Sequence, residues 1–138
     1  MNKKVTGFVP YEMKTTVLKI ISYDNKDLKG TLSNPYYNEP KPFENAIQFL
    51  TLMEDLLDGL NYPQKAMENR RFHPMEEAKR QVTQSSLKDQ PAIATFHLCV
   101  LFRQNASWQG RIVWVEDKTE AQFRSVLELL MLLDEVLC

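Results

Sequence analysis

The sequence has few cysteines, few glycines and no long apolar run. Its two cysteines, Cys99 and Cys138, are too few for the disulfide framework of a small secreted domain. Its four glycines form no phosphate-binding loop. No run approaches the roughly 18 apolar residues of a membrane span, and no apolar segment follows the lysines near the N-terminus, as it would in a secretory signal. We therefore expect a cytoplasmic protein that has no membrane partner.

An excess of charge of one sign is also lacking. Seventeen basic residues face eighteen acidic ones, which gives a net charge of −1. Such a balance creates no global field that draws a protein to nucleic acid or to an anionic membrane. At 138 residues, of which 43% are hydrophobic, the chain can bury a core of its own. We predict a single domain that spans residues 1–138.

The residue patterns of common catalytic and metal sites are missing. There is no nucleophile elbow and no zinc-ligand spacing. His97 and Cys99 alternate onto one side of a predicted strand, but a closed metal site needs two more ligands and His73 is the only other histidine. The acidic pairs Glu54-Asp55 and Asp134-Glu135 do not converge, because adjacent helical residues point about 100° apart, and they indicate a solvated helix face. We predict no enzyme activity, no metal and no cofactor.

What the sequence does contain is a weak repeat of itself. At an offset of 80, residues 16–58 align with residues 96–138 without a gap, and seven of the 43 pairs are identical. Other pairs match apolar with apolar, such as Ile20 with Val100 and Leu28 with Trp108. The pattern indicates two copies of one building block. We call residues 15–60 unit one and residues 94–138 unit two.

Each unit reads as two strands followed by a helix. The first strand, TTVLKIISY or ATFHLCVLF, is rich in β-branched and aromatic residues. Helix one is predicted to start near Pro42, with Phe43 opening its apolar face. Helix two is predicted to start at Thr119, capped with the help of Gln122. The expected fold is α+β: a pseudo-twofold ββα duplication that forms a four-stranded antiparallel sheet with two helices packed on one face.

The connecting segment, residues 61–93, is polar and poor in large aliphatic residues. It contains two stretches that could form short helices, around Gln64 to Arg70 and around Met75 to Val82. A structureless connection of this length is unusual in a compact domain. A partly helical connection and a functional lid are both open interpretations.

The stretch FRQNASWQG, Phe102 to Gly110, raises the question of a binding site. Its counterpart in unit one, Asn25 to Gly30, shares the pattern Asn-x-Ser/Asp-x-x-Gly. Turn geometry explains the pattern, since asparagine tolerates left-handed backbone and glycine takes a positive φ without steric cost. Asn105, Ser107 and Gly110 also resemble the second motif of the PilZ family of cyclic-dinucleotide receptors. That resemblance implies an Arg-x-x-x-Arg clamp for the anion, and no pair of arginines in this chain has that spacing next to the motif.

The apolar surface of helix two supports the first of two function hypotheses. This surface extends further round the helix than one sheet can cover. We therefore predict a non-enzymatic protein-interaction or regulatory domain that self-associates through this helix, as a homodimer, or binds another protein. Trp108 and Trp114 are candidate aromatic anchors, although the match of Trp108 with Leu28 favours a core position. The predicted partner-binding residues are Leu129, Leu132, Leu133, Val136, Trp108 and Trp114.

The alternative hypothesis is a nucleic-acid- or nucleotide-binding module. Basic and aromatic residues mix in the connecting segment, as they do in contacts with single-stranded nucleic acid. The turn from Arg103 to Gly110 would complete the site. The predicted anion-binding residues are Arg70, Arg71, Arg80 and Arg103.

Overall fold

Six strands and two α-helices account for the regular structure of the part of the chain that the computed structural model describes, residues 11–60, 62, 90–103 and 107–138. Two short 3-10 helices, Tyr11–Lys14 and Asp24–Lys26, accompany them. In chain order the main elements are β1 (Thr16–Ser22), β2 (Lys29–Ser33), β3 (Lys41–Phe43), α1 (Ala46–Leu60), β4 (Ala94–Phe102), β5 (Gln109–Trp114), β6 (Thr119–Phe123) and α2 (Val126–Leu137).

The strands form one antiparallel sheet in the order β3-β2-β1-β4-β5-β6. The α+β class is confirmed, but the prediction of four strands was wrong. The two additional strands, β3 and β6, lie at the edges of the sheet and consist of residues that the sequence assigned to the starts of the helices. In unit one the sequence placed Phe43 in the helix, because Phe43 lies three residues before Ala46 and is in phase with the apolar face of α1. In the structure Phe43 pairs with Gly30 across the β2–β3 ladder.

Both helices begin later in the chain than predicted. The side chain of the residue just before each helix caps its first turn. The Oγ of Ser125 accepts a hydrogen bond from the backbone N–H of Glu128 (3.1 Å), and a carboxylate oxygen of Glu128 accepts one from the N–H of Arg124 (2.7 Å). Asn45 and Gln48 make the corresponding bonds at the start of α1. Each cap satisfies N–H groups that have no partner inside the helix. The capping role predicted for Thr119 was therefore wrong.

The helices pack on the face of the sheet that carries the core. Leu18 of β1 lies opposite Leu32 of β2 and Phe96 of β4, so these three buried side chains share one face. The buried residues of α1 and α2 belong to the same hydrophobic cluster. Residues that alternate with them, such as Lys19 and His97, are exposed on the opposite face. The outcome is a two-layer arrangement in which both helices cover one side of one sheet.

Corresponding elements of the two units are spaced by 80 residues along the chain. Helix α1 begins at Ala46 and α2 begins at Val126. Gly30 faces Phe43 in unit one, and Gly110 faces Phe123 in unit two. The origin of the two units by duplication stays a prediction.

The two glycines of the Asn-to-Gly pattern serve a different purpose from the predicted one. Both lie inside strands, and a Cβ on Gly110 would stand 2.0 Å from the carbonyl oxygen of Cys99. A Cβ on Gly30 would stand 2.0 Å from the carbonyl oxygen of Lys19. Close approach of the neighbouring strand therefore requires these glycines, and a positive φ does not. Asn25 does have the left-handed backbone expected of a turn, with φ of 56°.

Candidate functional site

The inner side of α2 belongs to the core of the protein. Leu129 and Leu133, which the sequence suggested as partner contacts, are fully buried there. Leu132 and Val136 are partly buried and pack against the same cluster. A partner that binds α2 must therefore use residues on the outer side of this helix.

The two tryptophans also pack inside the protein. Trp108 is buried, as its match with Leu28 suggested, and its indole N–H donates to a carboxylate oxygen of Glu54 (2.5 Å). Trp114 is partly buried and packs against the core from β5. Trp108 is therefore unavailable as the exposed aromatic anchor that the sequence suggested.

The outer side of α2 carries a stripe of exposed residues that the sequence prediction missed. Leu127 is 66% exposed and Met131 is 63% exposed, one helical turn apart. Arg124 precedes Leu127 by three residues, and Glu135 follows Met131 by four; both are exposed. We call these four residues the α2 stripe. Large apolar side chains at this level of exposure are typical of surfaces that contact another molecule when they form a patch.

Charge divides the α2 stripe into a basic end and an acidic end. Helix α2 contains no basic residue, so the base of the stripe is Arg124, just before the helix. Its guanidinium lies 2.8 Å from the carboxylate of Glu128 on the protein surface and lowers the pKa of that carboxyl group through a hydrogen bond. An exposed pair of this kind contributes little to stability. The contact with Glu128 therefore positions Arg124 on the outer side of the helix and adds little to the free energy of unfolding.

Helix α1 has a corresponding stripe with a different charge pattern. It consists of Glu44, Ile47, Thr51 and Asp55, each 80 residues before a member of the α2 stripe. Ile47 is 71% exposed, which matches the exposure of Leu127. Both ends of this α1 stripe are acidic, and Thr51 stands in place of Met131.

Polar contacts cross between the units at the turns that follow β1 and β4. From unit one, the hydroxyl of Tyr23 donates to Asp134 of α2 (2.7 Å), and the ammonium of Lys26 lies 3.0 Å from the same carboxylate. From unit two, Arg103 reaches the carboxylate of Asp58 on α1 (2.8 Å). Each turn therefore binds the helix of the other unit. The acidic residues Asp134 and Glu54, predicted as solvated, are anchors for these contacts.

These contacts shift the pKa values of Tyr23 and Asp134 in opposite directions. Burial raises the pKa of the Tyr23 phenol, and its hydrogen bond to Asp134 adds to the effect. The hydrogen bonds from Tyr23 and then Lys26 lower the pKa of Asp134. At neutral pH both groups therefore stay in the forms that bond to each other.

The described residues of the polar stretch Phe102 to Gly110 have a structural use, whereas residues 104–106, which include the predicted turn residue Asn105, lie outside the described residues. Arg103 is only 4% exposed and also lies 3.5 Å from Glu54 and from the carbonyl oxygen of Leu57. Binding of an anion by Arg103 would require it to leave these carboxylates. Arg70, Arg71 and Arg80, the other predicted anion-binding residues, lie outside the described residues, as do the helices predicted in the connecting segment.

A cleft of about 270 Å³ opens between α2 and the strands β4, β5 and β6. Its polar lining residues are Asp117, Thr119 and Glu135. The remaining lining is apolar and comes from β4, β5, β6 and the inner side of α2. These apolar residues are Phe96, Ile112, Trp114, Ala121, Leu132 and Val136.

No group of three potential metal ligands occurs within residues 11–60, 62, 90–103 and 107–138. Of the two strand residues considered as metal ligands and expected to be buried, His97 is exposed and Cys99 is buried, and burial raises the pKa of the Cys99 thiol. Among the helices of the described residues, none has the length and apolar character needed to cross a membrane.

Comparison with known proteins gives no relative. No protein-family model matches the chain, and searches of curated proteins and of solved structures found no significant match.

Proposed function

We propose that the protein is a non-enzymatic protein-interaction domain that pairs with a second copy of itself through the α2 stripe. The observation that supports this proposal is that the stripe complements itself. When two copies of α2 lie antiparallel about a twofold axis near the level of Leu129, Leu127 of each copy faces Met131 of the other. The same rotation places Arg124 of each copy opposite Glu135 of the other. Such an isologous contact closes after two copies.

The α1 stripe is an internal comparison for the α2 stripe. If two copies of α1 paired about a twofold axis in the same way, charges of the same sign would lie opposite each other. An antiparallel α1 pair would bring Glu44 opposite Asp55 in both halves of the contact. Like charges placed opposite each other disfavour an interface, whereas opposite charges favour it and fix its register. The proposed pairing is therefore specific for α2.

The size of the surface sets the expected strength of the pairing. Helix α2 has 12 residues and is about 18 Å long, so a single helix pair buries less than the roughly 1,200 Å² of a standard interface. Interfaces of this size form transient complexes. We expect a dissociation constant in the micromolar range or weaker, so that the dimer fraction follows protein concentration.

Sedimentation velocity between about 5 and 500 μM tests the proposal. The wild-type protein is expected to move from the monomer mass of 16.1 kDa toward twice that mass as concentration rises. Leu127→Glu puts a charge into the centre of the contact and should keep the protein monomeric. Ile47→Glu makes the matched change on α1 and should leave the dimer fraction unchanged.

Two results would contradict the proposal. One is a wild-type protein that stays monomeric at the highest concentration. The other is a Leu127→Glu variant that is folded by circular dichroism and still dimerises like the wild type. Equal loss of dimer in Ile47→Glu would point to a contact that does not depend on α2 alone.

A cytoplasmic location is part of the proposal. Cys99 and Cys138 are both free thiols, as is usual in a reducing compartment. The alternative nucleic-acid function stays a prediction, and salt-dependent retention on heparin is its test, because phosphate contacts weaken steeply as salt rises.

A further inference from the structure

The space under α1 is filled by a tyrosine, whereas the corresponding space under α2 is the open cleft. Tyr37 is buried beneath α1, and its hydroxyl donates to the carbonyl oxygen of Leu52 (3.4 Å). The ammonium of Lys41 lies 5.2 Å from the centre of the Tyr37 ring. Burial raises the pKa of Tyr37, so the phenol stays protonated and keeps its donor.

The neighbours of Tyr37 have counterparts that line the cleft in unit two. Leu132 lies 80 residues after Leu52, and Ala121 lies 80 residues after Lys41; both line the cleft. The counterpart of Tyr37 is Asp117, which is exposed in the turn between β5 and β6. Unit two therefore has an open cleft where unit one has the buried ring of Tyr37.

The chemistry of the cleft defines a ligand class. Its apolar walls include the aromatic rings of Phe96 and Trp114, which suit a planar ring. Asp117 and Glu135 place two carboxylates among the lining residues, which include no base, and this arrangement favours a cation. The volume of about 270 Å³ lies just below the roughly 300–1,000 Å³ typical of sites for drug-sized ligands, so the cleft has room for a small ligand with one aromatic ring.

We propose that this cleft binds a small aromatic amine, with the ring under α2 and the ammonium group at Asp117 and Glu135. The cleft and the proposed dimer contact share Glu135, whereas Leu132 and Val136 line only the cleft. Tyramine is therefore titrated against the Leu127→Glu variant as well as the wild type, because that variant keeps the cleft and lacks the centre of the dimer contact.

Tyramine is the probe, because it combines a phenol ring with an ammonium group. The two tryptophans provide a built-in reference in ¹H–¹⁵N NMR, since Trp114 lines the cleft and Trp108 is buried against Glu54. Tyramine should shift the indole N–H signal of Trp114 saturably, with a dissociation constant of about 1 mM, and leave that of Trp108 in place. 4-Ethylphenol, which lacks the ammonium group, should bind about two- to tenfold more weakly, since it makes no ion pair with the exposed carboxylates of Asp117 and Glu135.

Three variants complete the test. Asp117→Tyr restores the tyrosine of unit one at an exposed turn position and should abolish binding by filling the cleft. Asp117→Asn should weaken tyramine binding by about two- to fivefold, as expected for the loss of one exposed ion pair. The matched control is Glu120→Gln, which removes the same charge from the opposite face of β6 and should leave binding unchanged.

The proposal would be overturned by a folded wild-type protein in which tyramine leaves the Trp114 signal unmoved. Equal affinity for 4-ethylphenol would remove the role of the carboxylates and also overturn it. Undiminished binding to a folded Asp117→Tyr variant would place the ligand elsewhere. Because the same outcomes are read in the Leu127→Glu variant, which is expected to be monomeric, they are separate from the test of self-association.

Discussion

Replacement of Gly110 by alanine should be among the most damaging single-methyl changes in this protein. The added Cβ would lie 2.0 Å from the carbonyl oxygen of Cys99 and 3.0 Å from the Cα of Val100. Both atoms belong to the backbone of β4, so no side-chain rotation can relieve the contact. The contact must lengthen from 2.0 Å to at least 3.4 Å to reach ordinary van der Waals distance, so strand β5 must move away from β4 by more than 1 Å.

The expected loss of stability has two parts. The shift stretches one or two hydrogen bonds of the β4–β5 ladder, each contributing about 1 kcal/mol. Overpacking within a close-packed structure adds about 1–3 kcal/mol. The sum, roughly 2–5 kcal/mol, is a large share of the roughly 5–15 kcal/mol by which small proteins are stable.

Urea denaturation followed by circular dichroism measures this loss, with Gln109→Ala in the same strand as the control. Gly30→Ala should lose a similar amount, because its Cβ would also lie 2.0 Å from a backbone oxygen, that of Lys19. The control should change stability by less than about 0.5–1 kcal/mol. A Gly110→Ala variant within 1 kcal/mol of the wild type would refute the close approach of β4 and β5.

Three further predictions concern the contacts between the units. Trp108→Phe removes the donor to Glu54 and should cost about 1–3 kcal/mol in urea denaturation, and equal stability would contradict that contact. Arg103→Met should cost about 1–3 kcal/mol, below the range for a fully buried pair because its partner Asp58 is half-exposed, and an unchanged urea midpoint would argue against the ion pair. Asp134 has a lowered folded pKa, so its stabilisation is present above its unfolded pKa of about 3.9 and is lost as the pH falls through the folded value. Asp134→Asn should therefore be less stable than the wild type at pH 7, and the gap should narrow below pH 4; a gap independent of pH would contradict the linkage.

The sequence predicted the class of the fold and parts of its local structure, for reasons that can be named. β1 and β4 are long and rich in β-branched and aromatic residues, so they are recognisable without tertiary information. The left-handed turn at Asn25 follows from a local preference. β3 has only three residues, and Phe43 is in phase with the helix that follows, so periodicity alone joins it to α1. The Ser125 and Glu128 pair was the available signal for the true start of α2.

The candidate site was harder to predict than the fold. Helix α2 is apolar on most of its surface, so its sequence does not show which leucines face the sheet and which face outward. The packing of one side of α2 against the sheet decides which leucines are buried, and it leaves Leu127 and Met131 exposed on the other side. The crossed contacts were also invisible, because Arg103 and Asp58 lie 45 residues apart and pair only once the sheet is assembled.

The antiparallel pairing of α2 is tested most directly by mixing two charge-reversed variants. Arg124→Glu makes both ends of the α2 stripe acidic, and Glu135→Arg makes both ends basic, so each variant repels its own copies. In a 1:1 mixture, the two acidic ends of the stripe in one variant lie opposite the two basic ends in the other variant. Sedimentation velocity should find each variant monomeric alone and a dimer in the mixture. A mixture that stays monomeric while the wild type dimerises, or single variants that dimerise like the wild type, would contradict the account.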